Sequence, residues 1–291
     1  MKKLTVMMAV FAIGFSLLSC KKDKENDEPK DDMSADSGTQ SSQDNNKQQR
    51  EFDDVMNIAF LAINENVSAS NNTKKASDLC ATVTQGESTN ELIVDFGEAG
   101  CQYNGITRKG KVIFYYTGHY KDSGSVIQVS LDNYRVQNTY ASQDFVKVEG
   151  KETITNKGLI NGKINWVVNV EDAKLTFENG EESTWESIRT RVLEDEGTAN
   201  PFDEIYHIYG NASGVNRKGG AYTASIIKED PVIFDYPCWI SKRMLVGGTI
   251  TVKPEGEVIR SVDYGYEKVP GESCDRSVTI TYGTFSFNID L

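Results

Sequence analysis

The residues whose type and spacing most directly suggest chemistry are four cysteines, Cys80, Cys101, Cys238 and Cys274. Cysteine can bind zinc, act as a nucleophile or form disulfides. Zinc is disfavoured, because the chain has no Cys-x-x-Cys pair and its two histidines lie far from every cysteine in sequence. Four cysteines remain once Cys20, discussed below, is set aside, and an even number in a chain with an export signal favours disulfides.

An internal repeat selects one of the three possible pairings. Each copy runs cysteine, strand, a strand ending in Val-Asp-aromatic-Gly, cysteine, strand, and the motif occupies residues 94–97 and 262–265. Two copies of one unit predict the same local bridge twice, Cys80–Cys101 and Cys238–Cys274. The aspartates of the motif, Asp95 and Asp263, could form a catalytic pair. An aspartate before an aromatic-Gly turn more often accepts backbone hydrogen bonds, and we expect that role for both.

Other catalytic signatures are missing from the sequence. It contains no Gly-x-Ser-x-Gly elbow, His-Glu-x-x-His motif, P-loop or dinucleotide fingerprint. His119 and His207 lie in tyrosine-rich, strand-like runs, where we expect structural roles. The acidic segment 194–204 could hold calcium but does not match the EF-hand spacing, so we expect a solvated loop. We therefore predict neither a metal nor a cofactor.

One strand-like run does combine residues that bind ligands. Trp185, Arg189 and Arg191 share strand parity with Ser187, which places them on one face. Aromatic rings and guanidinium groups bind ligands by cation–π stacking and by clamping carboxylates, so these three residues could face a ligand groove. The alternative is a solvated sheet face on which the arginine stems shield the indole.

The N-terminus predicts export and lipidation. Lys2 and Lys3 precede an apolar run from Leu4 to Leu18, which is too short to span a bilayer and is typical of a signal peptide covering residues 1–19. Leu-x-Ser-Cys at its end resembles the lipobox of bacterial lipoproteins. That resemblance implies that Cys20 carries the lipid, palmitate included, and becomes the first residue of the mature chain.

Residues 20–47 are charged and polar and predict a disordered tether. Loss of Lys2 and Lys3 with the signal peptide would take the net charge from −12 to −14. Such an acidic surface repels phosphate backbones, so nucleic acid is a poor candidate partner.

Residues 48–291 predict a single β-rich domain. Apolar residues recur every three or four positions over 48–69, which predicts one amphipathic helix. After Leu79 the sequence alternates apolar and polar residues between short turn signals, which predicts about twelve half-buried strands. We expect an antiparallel meander, either a curved open sheet or a sandwich, packed on the N-terminal helix.

The order of the helix, Cys-x-Thr-Val-Thr, Val-Asp-Phe-Gly-x-x-x-Cys and Val-Asp-Tyr-Gly resembles a group of uncharacterised lipoproteins from Bacteroidota. The likeness covers nearly the whole mature domain and implies an architecture and an outer-membrane address, with no catalytic residues to carry over. The charged patch after Cys20 resembles the surface-export signal of these lipoproteins, which favours the cell surface over the periplasmic face. The sequence departs from a strict repeat between Gly265 and Cys274, where the second copy carries a longer insertion.

Three functions are compatible with these features. We favour a lipid-anchored domain that binds a ligand or partner, such as a glycan or an envelope protein, without catalysis. This function predicts no buried cluster of acids or histidines in any pocket. A hydrolase acting on polysaccharide or another envelope polymer would need two carboxylates facing each other in a groove. A structural envelope protein would show a convex surface with an apolar contact patch.

Overall fold

The strands after residue 72 form one antiparallel sheet around a long N-terminal helix. The computed structural model describes residues 37–66, 73–76, 79–139, 144–195, 201–265, 274 and 276–290, all within one unit, Met33–Leu291. The predicted signal peptide, Cys20 and most of the predicted tether lie outside the described residues.

Sixteen strands are present in the described residues, against about twelve predicted. Their bounds are β1 Thr73–Ala76, β2 Ala81–Gln85, β3 Glu91–Asp95, β4 Cys101–Tyr103, β5 Ile106–Tyr116, β6 Val126–Asn138, β7 Val146–Ile160, β8 Lys163–Phe177, β9 Glu182–Asp195, β10 Ile205–Val215, β11 Ala221–Ile226, β12 Val232–Asp235, β13 Thr249–Pro254, β14 Arg260–Asp263, β15 Ser277–Tyr282 and β16 Phe285–Asp290.

The sheet is an open meander, as the sequence predicts. Its strand order is β1-β2-β3-β5-β6-β7-β8-β9-β10-β11-β13-β14-β15-β16, with β4 paired to β5 and β12 to β10. All the pairs are antiparallel, because most neighbours are joined by short turns such as Asn161–Gly162. Of the two architectures that the sequence left open, the structure has the open sheet.

Two of the short turn signals after Leu79, Asn156–Gly158 and Asn211–Gly214, predict turns but lie within strands. Asn156–Gly158 is a bulge within β7, where the register with β8 shifts by one residue. Asn211–Gly214 continues β10, which pairs with β9 on one side and β11 on the other. Turn-forming residues can occupy long strands where a bulge or two neighbouring strands hold the extended backbone.

The helix α1 spans Ser37–Asn66 and begins eleven residues before the predicted start at Gln48. Residues 37–47, predicted as tether, are therefore helical. The apolar residues predicted to face the sheet, including Phe52, Val55 and Ile63, are buried. Most polar residues of α1 are buried as well, including Asp54, because the sheet supplies partners for them, as Arg108 of β5 does for Asp54. Among the described residues no helix is long and apolar enough to cross a membrane.

A second helix, α2, spans Tyr236–Lys242 and was not predicted. Asp235 caps it, since its Oδ1 accepts a hydrogen bond from the backbone N–H of Cys238 at 2.9 Å. A short 3-10 helix, Pro201–Asp203, contacts α2. Both segments contribute side chains to a pocket that residues of α1 and the sheet also line.

Candidate functional site

Both predicted disulfides are present. The Cα atoms of Cys80 and Cys101 lie 5.9 Å apart, and those of Cys238 and Cys274 lie 5.3 Å apart, distances normal for disulfides. The cysteines are therefore structural cross-links, as the repeat predicts.

The two aspartates of the repeat hold turns, as predicted. Asp95 Oδ1 accepts the backbone N–H of Gly97 at 2.8 Å, and Asp263 Oδ1 accepts that of Gly265 at the same distance. Both glycines have positive φ, 73° and 82°, a conformation that a side chain would strain. These carboxylates act on their own backbone, which accounts for the Val-Asp-aromatic-Gly motif.

The three residues predicted as ligand-facing, Trp185, Arg189 and Arg191, do share one face of β9, but that face is buried against α1. Trp185 Nε1 donates to Asn45 Oδ1 at 3.1 Å, and Arg189 Nε donates to Gln49 Oε1 at 3.1 Å. Both the ligand groove and the solvated face are therefore wrong. The shared face could be read from the sequence, whereas its burial depends on how α1 packs on β9, through Gln49 of the predicted helix and Asn45 of the predicted tether.

The described structure has a pocket elsewhere, where α1, α2, the 3-10 helix and the β4–β5 hairpin meet. Its volume is about 250 Å³. We call it the interhelical pocket, and it is lined by Asp54, Asn57, Leu61, Leu79, Tyr103, Asn104, Ile106, Arg108, Phe202, Tyr236, Trp239, Ile240 and Arg243. Four of these residues are aromatic and come from three segments, β4, the 3-10 helix and α2. None of them was identified from the sequence. The signal available was that Tyr103 and Trp239 follow closely on disulfide cysteines.

A buried ion network forms the polar wall of this pocket. Arg108 donates from Nε and Nη2 to the two carboxylate oxygens of Asp54, at 2.8 and 2.7 Å. Arg243 Nη1 lies 2.5 Å from Asp54 Oδ1, and Arg243 Nη2 donates to Glu51 at 3.2 Å. Burial alone would raise the pKa of Asp54, but the guanidinium groups of Arg108 and Arg243 outweigh it and hold this pKa well below its ordinary value.

Positive charge exceeds negative charge in this network. Lys47 lies 3.3 Å from Glu51, and Arg50 lies close enough to act on Glu51 electrostatically. Four cations therefore surround the carboxylates of Asp54 and Glu51. Arg50 is buried, and this burial together with the nearby cation Arg243 lowers the pKa of Arg50 to about 10.

Two guanidinium nitrogens of residues that line the pocket have no hydrogen-bond acceptor among the described residues. Arg108 Nη1 and Arg243 Nε are buried, and no residue within the described ranges accepts a hydrogen bond from either atom. An unsatisfied buried donor costs about 1–3 kcal/mol.

A second group of acids lies deeper, beneath β7 and β9. Asp53 and Glu152 line a cavity of about 10 Å³ with Gln49, Arg189 and Arg191, which is room for one water. Burial raises the pKa of Glu152 well above its ordinary value, and Asp53 adds to this. The expectation that no pocket would contain a buried acid cluster is therefore wrong for this cavity. It is too small for a substrate.

The histidines are apart from these sites. His207 lies on β10, with Nδ1 3.1 Å from Glu194 Oε1, whereas His119 lies in a turn and not in a strand as predicted. No group of three metal-ligating side chains occurs among the described residues. Within the acidic segment, Glu204 is buried and bonded to Lys121 and Tyr206, so this part is not a solvated loop.

The interhelical pocket can thus hold a small molecule with an apolar body and an acceptor group, and it offers no nucleophile beside a base. No protein-family model, curated protein or solved structure matches this chain.

Proposed function

We propose that this chain is a lipid-anchored binding protein of the outer membrane, facing the cell surface, and that its interhelical pocket holds a small, largely apolar anion without catalysis. The observation that carries the proposal is the pairing, in one pocket, of four aromatic rings with the guanidinium groups of Arg108 and Arg243. Apolar walls with a few convergent polar groups are typical of small-molecule sites.

The volume of the pocket limits the ligand. A cavity of about 150 Å³ holds benzene, and pockets for drug-sized ligands begin at about 300 Å³. At about 250 Å³ the interhelical pocket suits one fused ring pair or a short branched chain with a single carboxylate. The surplus of cations around Asp54 and Glu51 favours a negative head group.

The hydrolase hypothesis finds less support in this geometry. The single carboxylate lining the interhelical pocket, Asp54, is held ionised by two arginines and cannot donate a proton. Asp53 and Glu152 do lie close together, but their cavity admits only one water. A polymer would have no access to them.

Binding of 1-naphthoate tests the proposal, with the neutral 1-naphthalenemethanol as its matched partner. Trp239 lines the pocket, so its fluorescence reports occupancy. Calorimetry measures the affinity independently. We expect naphthoate to bind at least about tenfold more tightly than the alcohol, a difference of about 1.4 kcal/mol. Equal affinity for the two compounds, or no binding of either, would overturn the anion-binding proposal.

A pair of variants locates the binding. Ile240 is half-buried and lines the pocket, so I240W fills it from the rim without opening a cavity. The matched control is I289W, at a half-buried isoleucine of β16 remote from the pocket lining. We expect I240W to abolish naphthoate binding and I289W to retain it. Loss in both variants, or retention in both, would place the ligand elsewhere.

A further inference from the structure

A second recess lies on the face of the sheet that points away from α1. Side chains alternate along a strand, so Val167, Val192 and Tyr209 project opposite to the buried Trp166 and Arg191. This recess has a volume of about 540 Å³ and crosses β8, β9 and β10. A neighbouring recess of about 520 Å³ shares His207, Lys228 and Pro231 with it. We call the larger recess the outer trough.

The trough carries positive charge on an otherwise acidic protein. Lys157, Lys163 and Lys228 line it, and Glu194 is its one carboxylate, whereas Glu229 and Asp230 line the neighbouring recess. Glu194 pairs with Lys163 and with His207. Lys157 and Lys228 have no carboxylate partner among the described residues, although acids outnumber basic residues by 43 to 31 in the chain. Two unpaired cations on one groove favour a ligand that supplies negative charge.

The apolar and hydrogen-bonding side chains that line the trough indicate which chemical groups a ligand would need besides negative charge. Val167, Val192 and Tyr209 are half-buried and form an apolar floor, and Lys228 Nζ lies 5.8 Å from the centre of the Tyr209 ring. Asn161 and Thr190 add side-chain hydrogen-bonding groups. Such a surface suits sugar rings, whose C–H faces pack on apolar side chains while their hydroxyls bind amides and hydroxyl groups.

A peptide fits the trough less well. Peptides that bind sheets usually add a strand at a free edge, using backbone hydrogen bonds. The trough crosses the middle of the sheet, where β8 and β9 each already pair on both sides. Recognition there has to come from side chains, which favours a glycan over an extended peptide.

We propose that the outer trough binds an acidic oligosaccharide, with sugar carboxylates paired to Lys157 and Lys228 and sugar rings packed on Tyr209 and the valines. This site is separate from the interhelical pocket, so either proposal can fail without the other. Tetragalacturonate and tetramannuronate are suitable probes, and the methyl ester of tetragalacturonate is the neutral control.

Calorimetry on wild type and two double variants tests this. K157Q/K228Q removes the two unpaired cations of the trough, and K151Q/K253Q makes the same change in charge at exposed lysines outside the trough lining. We expect at least one uronate to bind wild type, K157Q/K228Q to weaken it about tenfold or more, and K151Q/K253Q to change it less than about twofold. The methyl ester should bind about tenfold more weakly than the acid.

Three results would overturn the proposal. One is the absence of binding by both uronates at a Kd below about 1 mM. Another is equal weakening by the two double variants, which would show a general charge effect. The third is binding of hexaglutamate as tight as that of the uronates, which would show that the trough selects an acidic peptide or charge alone.

Discussion

At the scale of single residues, Asp54 connects α1 to the sheet and forms the polar wall of the interhelical pocket. Tyr134 adds a hydrogen bond at 3.2 Å to those from Arg108 and Arg243. We expect D54N to lower the free energy of unfolding by about 3–5 kcal/mol, because the two buried guanidinium groups lose their counter-charge. Urea unfolding monitored by tryptophan fluorescence measures this change.

The control for D54N is an exposed ion pair. Lys174 and Glu182 lie 3.1 Å apart on the surface, so E182Q should cost less than about 1 kcal/mol. A loss in D54N no larger than that in E182Q would contradict the importance of the buried network. Because the pKa of Asp54 is lowered on folding, its contribution is present above its ordinary pKa and is lost as the pH falls through the lowered value.

The contribution of Glu152 to stability should depend on pH in the opposite direction to that of Asp54. Its pKa is raised in the folded protein, by burial first and by Asp53 second. Its contribution to stability is therefore complete below its unfolded pKa of about 4.3 and is lost as the pH rises through the folded pKa. E152Q fixes the neutral form. We expect it to match wild type at pH 4 and to become relatively more stable above that pH, by up to about 1.4 kcal/mol per pH unit.

Urea unfolding between pH 4 and 8 measures this difference. Glu149, on the same strand, is the control because the hydrogen bond from Lys147 lowers its pKa. E149Q should show a weak dependence of opposite sign, since that pair is partly exposed. A pH-independent difference between E152Q and wild type would exclude a raised pKa at Glu152.

At the scale of elements, each copy of the repeat carries one disulfide, and the two disulfides lie beside different strands of the sheet. Cys80–Cys101 closes a separation of 21 residues beside β2, β3 and β5, and Cys238–Cys274 closes 36 residues beside β13, β14 and β15. Loop-closure entropy varies only with the logarithm of loop length. We expect C80S/C101S and C238S/C274S to lose similar free energies of unfolding, about 3–4 kcal/mol each.

Chemical denaturation of both double variants under non-reducing conditions checks this prediction. Removal of each bridge is compared with D95N, which keeps both bridges and weakens one turn hydrogen bond. We expect a smaller loss in D95N, about 0.5–1.5 kcal/mol. A loss below about 1 kcal/mol in either cysteine variant would contradict this prediction, because the bridge would then restrain the unfolded chain very little.

At the scale of the whole molecule, the proposed address depends on one residue. C20S should lose incorporation of labelled palmitate and move from the outer-membrane fraction to the soluble fraction, because the lipid is the proposed anchor. The control is C80S/C101S, which leaves Cys20 in place and should keep the label. Palmitate labelling of C20S at the wild-type level would exclude the lipobox interpretation.

The side of the membrane is a separate prediction at this scale. We expect trypsin added to intact cells to cleave the domain, as a surface location implies, with lysed cells as the control for intrinsic cleavability. Protection in intact cells, followed by cleavage after lysis, would assign the domain to the periplasmic face.

The amino-acid sequence by itself determined the features that depend on neighbouring residues. Alternation along each strand, the Val-Asp-aromatic-Gly turns and the repeated cysteines predicted the antiparallel sheet, the roles of Asp95 and Asp263 and both disulfides. These are local properties, because a side chain on a strand alternates with its neighbours and an aspartate reaches only the next few N–H groups. The same logic located the apolar part of α1.

Only the tertiary structure decided which polar residues are buried. The segment Ser37–Lys47 predicts solvated chain because it is polar, yet it is helical, since Trp185 of β9 and Arg217 of the β10–β11 turn are partners for its side chains. The interhelical pocket likewise joins Asp54, Tyr103 and Trp239, which are far apart in sequence. Burial of a polar group costs free energy unless the group has a hydrogen-bond or ion-pair partner. The fold decides which residue is that partner.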